Sequence, residues 1–210
     1  LEAAWQRRDG TVIYVRESAR LERDANGRPL AYEGTVEDIT QRRAAEEEVR
    51  RNTERLRSLV SILQHPAQTE QELLDYALNE AIGLTQSKIG YIYLYDEALR
   101  LFTLNTWSRD VMKECAVADP QREYRLDETG IWGEAVRQRR PIVINDFAAP
   151  HPLKRGYPDG HVHLRSFAAA PVVSGQEIVA VVGVANKERG YDDTDVLQLT
   201  LLMDAVWKVV

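Results

Sequence analysis

Ser166-Phe167-Ala168-Ala169-Ala170-Pro171-Val172-Val173 and Ile178-Val179-Ala180-Val181-Val182-Gly183-Val184-Ala185 are two strand-sized apolar runs joined by the tight turn Ser174-Gly175-Gln176. Runs of this length bounded by turn formers predict a β-hairpin. Downstream, a helix is expected to start with Asp192 or Asp193 as N-cap and to bury Val196, Leu199, Leu202, Met203, Val206 and Trp207. Upstream, Leu73, Leu74, Ala77, Leu78 and Ala81 make a helical stripe, and strands are expected at Ile89 to Tyr95, after a turn at Asp96-Glu97 at Leu101 to Trp107, and at Ile142 to Ile144. A further helix is expected from Thr129 through Arg137. Together these predict an α+β domain over residues 67–210, a central antiparallel sheet flanked by helices and carrying one long loop, Asn145 to Arg165.

The first 66 residues read differently. Asp9-Gly10 and Asp24-Ala25-Asn26-Gly27 are turn signals between strands, and Leu30, Tyr32, Gly34 and Val36 fall on one face. Residues 1–40 are therefore three antiparallel strands, too few to bury a core alone. Over residues 41–66 the period changes. Ala45, Val49, Leu56, Leu59 and Leu63 recur at heptad spacing, with Arg42 and Asn52 completing the two series, until His65-Pro66 ends the helix. A coiled-coil homodimer through the 41–64 helix is expected, the alternative being an amphipathic helix lying on a neighbouring domain. Self-association would bury both the open sheet face and the heptads.

Composition narrows the class. With 44% hydrophobic and 29% charged residues, the 210-residue chain is globular in character. No run of 18 apolar residues occurs, so no membrane segment is expected. Residues 1–63 carry as many basic as acidic side chains, so the whole net charge of −6 lies in residues 64–210. An acidic domain repels phosphate backbones, which argues against nucleic acid as a partner. The lone Cys115 forms no internal disulfide, and a cytoplasmic location is the simpler expectation. The start at Leu1 without an initiator Met, and the end at Val210 within a helical pattern, suggest a piece of a longer protein.

Three sets of motifs carry resemblances. Arg8-Asp9-Gly10-Thr11, Asp24-Ala25-Asn26-Gly27 and Gly34-Thr35-Val36-Glu37-Asp38-Ile39-Thr40, followed by Gln41-Arg42-Arg43, resemble the C-terminal part of a PAS sensor domain leading into a signalling helix. Asn186-Lys187-Glu188-Arg189-Gly190-Tyr191-Asp192-Asp193-Thr194-Asp195 is similar to the Asn-Lys…Phe…Asp-Glu signature of GAF domains that bind cyclic nucleotides, with Tyr191 in place of Phe and Val196 in place of Glu. That resemblance implies a GAF-like fold for residues 67–210 and a structural lock of Asn186, Lys187, Tyr191 and Asp195. Gly130-Ile131-Trp132-Gly133-Glu134, Ile144-Asn145-Asp146 and Gly156-Tyr157-Pro158-Asp159-Gly160-His161 resemble bacterial GAF sensors found beside PAS domains. Such arrays feed a histidine kinase or a cyclic-dinucleotide enzyme, so an effector domain is implied in the same parent chain.

Chemistry-bearing residues gather in the long loop: Asn145, Asp146, His151, Lys154, Arg155, His161, His163 and Arg165. A loop of this length is more often functional than idle. His161 and His163, joined by Asp146, would suit a metal; the same groups would also pin the loop or contact an organic or anionic ligand. Trp107, Tyr124 and Trp132 offer aromatic walls beside Asn145, His163 and Arg165 as donors, the composition of a small-molecule pocket. An anion would favour the amides of a helix beginning near Thr129-Gly130. Cys115 stands as a redox thiol activated by Lys113, a chromophore attachment point, or a small buried hydrophobe. His65 is either a helix-ending residue or a phosphoacceptor, although Pro66 replaces the acidic neighbour of that motif. No Gly-x-Ser-x-Gly elbow occurs. The expected function is a non-enzymatic sensory module that binds an unidentified small ligand, with unknown cofactor, and relays its state through dimeric helices. A ligand-free dimerisation scaffold and a Cys115-dependent redox enzyme are the alternatives.

Overall fold

The computed structural model describes residues 1–108, 122–154 and 162–210, and the chain divides into two compact units, Leu1–Glu54 and Arg55–Val210. Cys115 and His161 lie outside the described residues, as does part of the long loop.

In the first unit β1 (Glu2–Gln6), β2 (Val12–Arg23) and β3 (Pro29–Asp38) form an antiparallel sheet in that order. Its turns are built by aspartates: Asp9 Oδ1 accepts from the Thr11 amide at 2.9 Å, and Asp24 Oδ1 accepts from Asn26 and Arg28 amides at 2.9 and 2.8 Å. Leu30, Tyr32 and Val36 of β3 remain exposed, and only Val15 and Ile39 of this unit are buried. Helix α1 (Thr40–Gln64) starts where Thr40 Oγ1 accepts the Tyr14 amide at 2.8 Å, and Arg43 lies over the Tyr14 ring at 4.6 Å.

The second unit begins within the same helix. Its core includes Ile62, with Leu59 packed against it, while Leu56, Val60 and Leu63 stay exposed. Leu59 therefore faces its own domain, and the expected heptad face, which counted Leu59 and omitted Ile62, is corrected to that extent. His65 ends the helix and stacks on Tyr76, ring centroids 4.0 Å apart.

Helix α2 (Glu70–Leu84) follows, its N-cap Thr69 accepting from the Glu72 amide at 3.2 Å. Strands β4 (Ile89–Asp96), β5 (Leu101–Trp107) and β6 (Glu123–Arg125) precede a short helix α3 (Glu134–Arg137), and β7 (Ile142–Ile144), β8 (Phe167–Ser174), β9 (Glu177–Ala185) and helix α4 (Asp193–Val206) complete the unit. The six strands pair antiparallel in the order β6-β5-β4-β9-β8-β7. The expected hairpin is β8-β9, turning at Gly175 with φ of +64°.

This sheet is covered on both faces, which is why β8 and β9 lack polar alternation. One face packs α2, α4 and the end of α1 on Ala168, Ala170, Val172, Ala180, Val182 and Val184; the small alanines let the helices approach. The other face carries Tyr93, Tyr95, Phe102, Phe167, Ala169, Val181 and Ala185 beneath Leu126, Ala135 and Val136.

Two expectations are revised here. The helix from Thr129 through Arg137 is instead a pair of 3-10 turns, 126–128 and 131–133, leading into the one-turn α3. Thr129 is extended and its hydroxyl donates to the Leu126 carbonyl at 2.6 Å, so no helix begins at Thr129-Gly130. The anion site expected there has no helix terminus to form it.

Candidate functional site

The aromatic face of the six-stranded sheet is the candidate site. Register places Tyr91 opposite Gly183 on β9, Gly183 opposite Ala169 on β8, and Ala169 opposite Ile142 on β7. Side chains directly opposite one another share a face. Gly183 and Ala169, with Ala185 two residues along β9 and on the same face, make a floor of small residues beneath large rings. The Tyr91 ring lies across Gly183, where any Cβ would stand 2.3 Å from its Cζ. That glycine is required because its strand neighbour occupies the space of its side chain.

The expected aromatic walls come together here. Trp132 stacks with Tyr93 at 5.3 Å between centroids and meets Tyr124 edge-on at 5.5 Å and Phe102 at 4.9 Å. Trp107 packs against the same cluster, and both Trp107 and Tyr124 are half-buried. Tyr91, Tyr93, Phe102 and Phe167 were not singled out from sequence, because aromatics on a doubly covered strand carry no pattern that separates a site from a core. Burial holds the Tyr93 hydroxyl well above the ordinary phenol range, reinforced by neighbouring Tyr124 and offset in part by a hydrogen bond from Trp107. Burial does the same to Tyr91, whose hydroxyl is the buried side-chain polar atom without a hydrogen-bond partner among the described residues.

The polar half of the expected site is distributed otherwise. Asn145 points into the lock segment: its Nδ2 donates to the Tyr191 carbonyl at 2.9 Å and its Oδ1 accepts the Tyr191 amide at 2.6 Å. Gly190, at φ +74°, passes so close that a Cβ would be 2.7 Å from Asn145 Oδ1. Asp146 is exposed and accepts the amides of Ala148 and Ala149 at 3.0 and 3.1 Å, a local turn. His151 Nδ1 accepts the Leu153 amide at 3.2 Å, and Lys154 donates to the Phe147 and Ala149 carbonyls while lying over the Phe147 ring. His163 and Arg165 are exposed, and the structure uses their backbones: the His163 carbonyl accepts from Asn186 Nδ2 at 2.9 Å, and the Arg165 amide donates to Asn186 Oδ1 at 2.8 Å. No group of three or more His, Cys, Asp or Glu side chains is placed to hold a metal ion among the described residues.

Of the four expected lock residues, Lys187 and Asp195 join the end of β9 to α4, while Asn186 and Tyr191 bond elsewhere. Lys187 Nζ stands 2.6 Å from both carboxylate oxygens of Asp195, with side chains 15% and 7% exposed. Asp192 and Asp195 form a reciprocal capping box at 3.0 Å each way, so one carboxylate serves the helix start and the strand end together. Asn186 adopts φ of +65°, and its side chain bridges 163–165 as described. The Tyr191 hydroxyl is 2.8 Å from Ser87 Oγ, and burial pushes it up to about 12. Near α3, Glu134 is buried yet held below the usual carboxylate range by the Gln138 amide and then by Arg137.

Comparison with known proteins gives a consistent picture. Residues 67–210 match the profile of the family described as the GAF domain. Over 201 residues, 96% of this chain, the sequence is 45% identical to the methyl sulfide methyltransferase-associated sensor of Methanosarcina acetivorans, and it spans 20% of the length of that curated relative. The GAF domain from a phosphoenolpyruvate-protein phosphotransferase of Coxiella burnetii aligns with a TM-score of 0.61 at 14% identity, over 75% of this chain and 93% of that one. The free methionine-R-sulfoxide reductase from Neisseria meningitidis aligns with a TM-score of 0.58 at 16% identity, over 75% and 86%. At such identities these two structures speak to the fold alone.

Proposed function

Since this chain belongs to the GAF domain family, we propose that residues 67–210 are a ligand-responsive sensory module and that the chain relays ligand state to an effector in a larger protein. The relative named as a sensor supports a sensory or regulatory role. In this reading residues 1–40 are the closing strands of a PAS-type domain, residues 41–66 a dimer-forming signalling helix, and the effector a histidine kinase or cyclic-dinucleotide enzyme in a cytoplasmic signal-transduction protein. The module binds a small molecule and does no chemistry on it.

One observation carries this reading: the same two strands face the aromatic cluster on one side and the helices on the other. Ala169, Val181 and Gly183 lie toward the rings, while Ala168, Ala170, Val182 and Val184 support Leu199, Leu202 and Met203 of α4 and Ile62 of α1. A ligand that displaces the rings moves β8 and β9, and tightly packed helices on the far face follow. Such a relay requires the ligand to bind two arrangements unequally.

The scaffold reading keeps one specific support. Trp132 lies within 4.9 to 5.5 Å of three other ring centroids, so the cluster already fills much of its own face. Amide exchange separates the two. The chain is measured as purified, then after unfolding and refolding in buffer free of small molecules. The sensor reading expects faster exchange over residues 199–206 in the stripped protein; identical exchange, with no molecule released, supports the scaffold.

A further inference from the structure

The Tyr91 hydroxyl is half of an unmade hydrogen bond. It is buried and unpartnered among the described residues, although a buried polar group without a partner forfeits the hydrogen bonds that it would make in water. The chain does not merely tolerate this arrangement; it makes room for it. Gly183 gives up its side chain so that the ring can cross β9, and a Cβ there would lie 2.6 Å from the hydroxyl oxygen. Tyr91 is steadied by Tyr93 edge-on at 5.2 Å and by Phe167, nearly parallel at 6.4 Å, with Trp132 edge-on at 6.4 Å. None of these three ring neighbours is charged; among the described residues the nearest ionic groups of this face are Glu134, beside Trp132 and Ala135, and Lys154, over the Phe147 ring.

We infer that Tyr91 Oη is the hydrogen-bonding anchor of a ligand subsite over Ala169, next to the ring that covers Gly183, and that this subsite takes a small, uncharged, largely apolar molecule bearing one hydrogen-bond acceptor. The inference rests on the proposal that the aromatic face is a ligand site, and it names the ligand's chemistry there. An anion is disfavoured because its charge would be buried against the rings of Tyr93, Phe167 and Trp132, and among the described residues no cation lies against the Tyr91 ring. A molecule with several polar groups is disfavoured because one hydroxyl serves one or two hydrogen bonds. The phenol is raised well above its ordinary range by burial, so it keeps its proton and donates throughout the working pH range. A carbonyl or sulfoxide oxygen on an apolar frame fits this set.

The test uses two probes of nearly equal shape, cyclohexanone and methylenecyclohexane, which differ in the carbonyl oxygen against a methylene group. Binding to the whole chain is followed by NMR of ring-labelled tyrosine and by tryptophan fluorescence. The wild-type chain is expected to bind cyclohexanone roughly three- to tenfold more tightly, the worth of one net hydrogen bond. Tyr91→Phe should fold normally, because it removes an unpartnered group, and should abolish that preference while still binding methylenecyclohexane. Equal binding of both probes to the wild-type chain, as when water serves the hydroxyl, overturns the anchor and leaves the ligand face standing. A preference that survives in Tyr91→Phe also overturns the anchor. Failure of both probes to bind overturns the subsite, and the ligand-face proposal then rests on the exchange experiment alone.

Discussion

Lys187 and Asp195 show how one residue pair joins two elements. Their charges meet at 2.6 Å with little exposure, and Asp195 also receives the Asp192 amide. Removing only the cation leaves a nearly buried carboxylate uncompensated, so Lys187→Met should destabilise the domain by about 3 kcal/mol. Urea unfolding checks this, and a loss below about 1 kcal/mol would mean the pair is screened like a surface bridge. Tyr191 makes a second residue-scale prediction. Its hydroxyl titrates near 10.0 when unfolded and at about 12 when folded. Its contribution is thus full below pH 10 and is lost as the pH rises toward 12, because the unfolded state releases the proton first. Tyr191→Phe should therefore show a shallower fall of Tm between pH 10 and 12 than the wild-type chain. The Lys187-Asp195 spacing was visible in sequence; the second partner of Tyr191, Asn145, was not. Asn145 lies 46 residues from Tyr191, and its type suits a ligand donor as well as a backbone clasp.

At the scale of elements, α1 shows two faces. At about 100° of rotation per residue, Leu56, Val60 and Leu63 cluster on one side, Ile62 lies about 120° round from Leu56, and Leu59 falls between them. Ile62 is buried in the core with Leu59 packed against it, whereas the other three are exposed. Leu56→Glu should leave Tm within a degree or two while dissociating the proposed dimer in sedimentation at tens of micromolar. Ile62→Ala should cost about 2–5 kcal/mol of stability, measured by urea unfolding, because it opens a cavity in the core. A periodic stripe announces that a helix has a partner, and tertiary packing decides which residues the partner takes. The β8-β9 hairpin, α2 and the Asp192 cap were legible because their signals are local. The 129–137 segment was misread because its apolar positions suit a helix, while Gly130 and Gly133 and the extended Thr129 break it into 3-10 turns.

For the molecule as a whole, fold class followed from the pattern of strands and helices, and Trp107, Tyr124 and Trp132, expected as aromatic walls, pack in one cluster. The centre of the candidate site was not legible, because Tyr91, Tyr93 and Phe167 sit on strands buried from both sides and carry no alternation to mark them. The central claim is that this face holds a small molecule in a dimeric chain. Native mass spectrometry of the purified chain, with a denatured control and with Trp132→Leu alongside, tests it most directly. The account predicts a wild-type dimer carrying an added mass that leaves on denaturation, and loss of that mass from the folded variant. A wild-type chain without added mass, or the same mass held equally by Trp132→Leu, would contradict it.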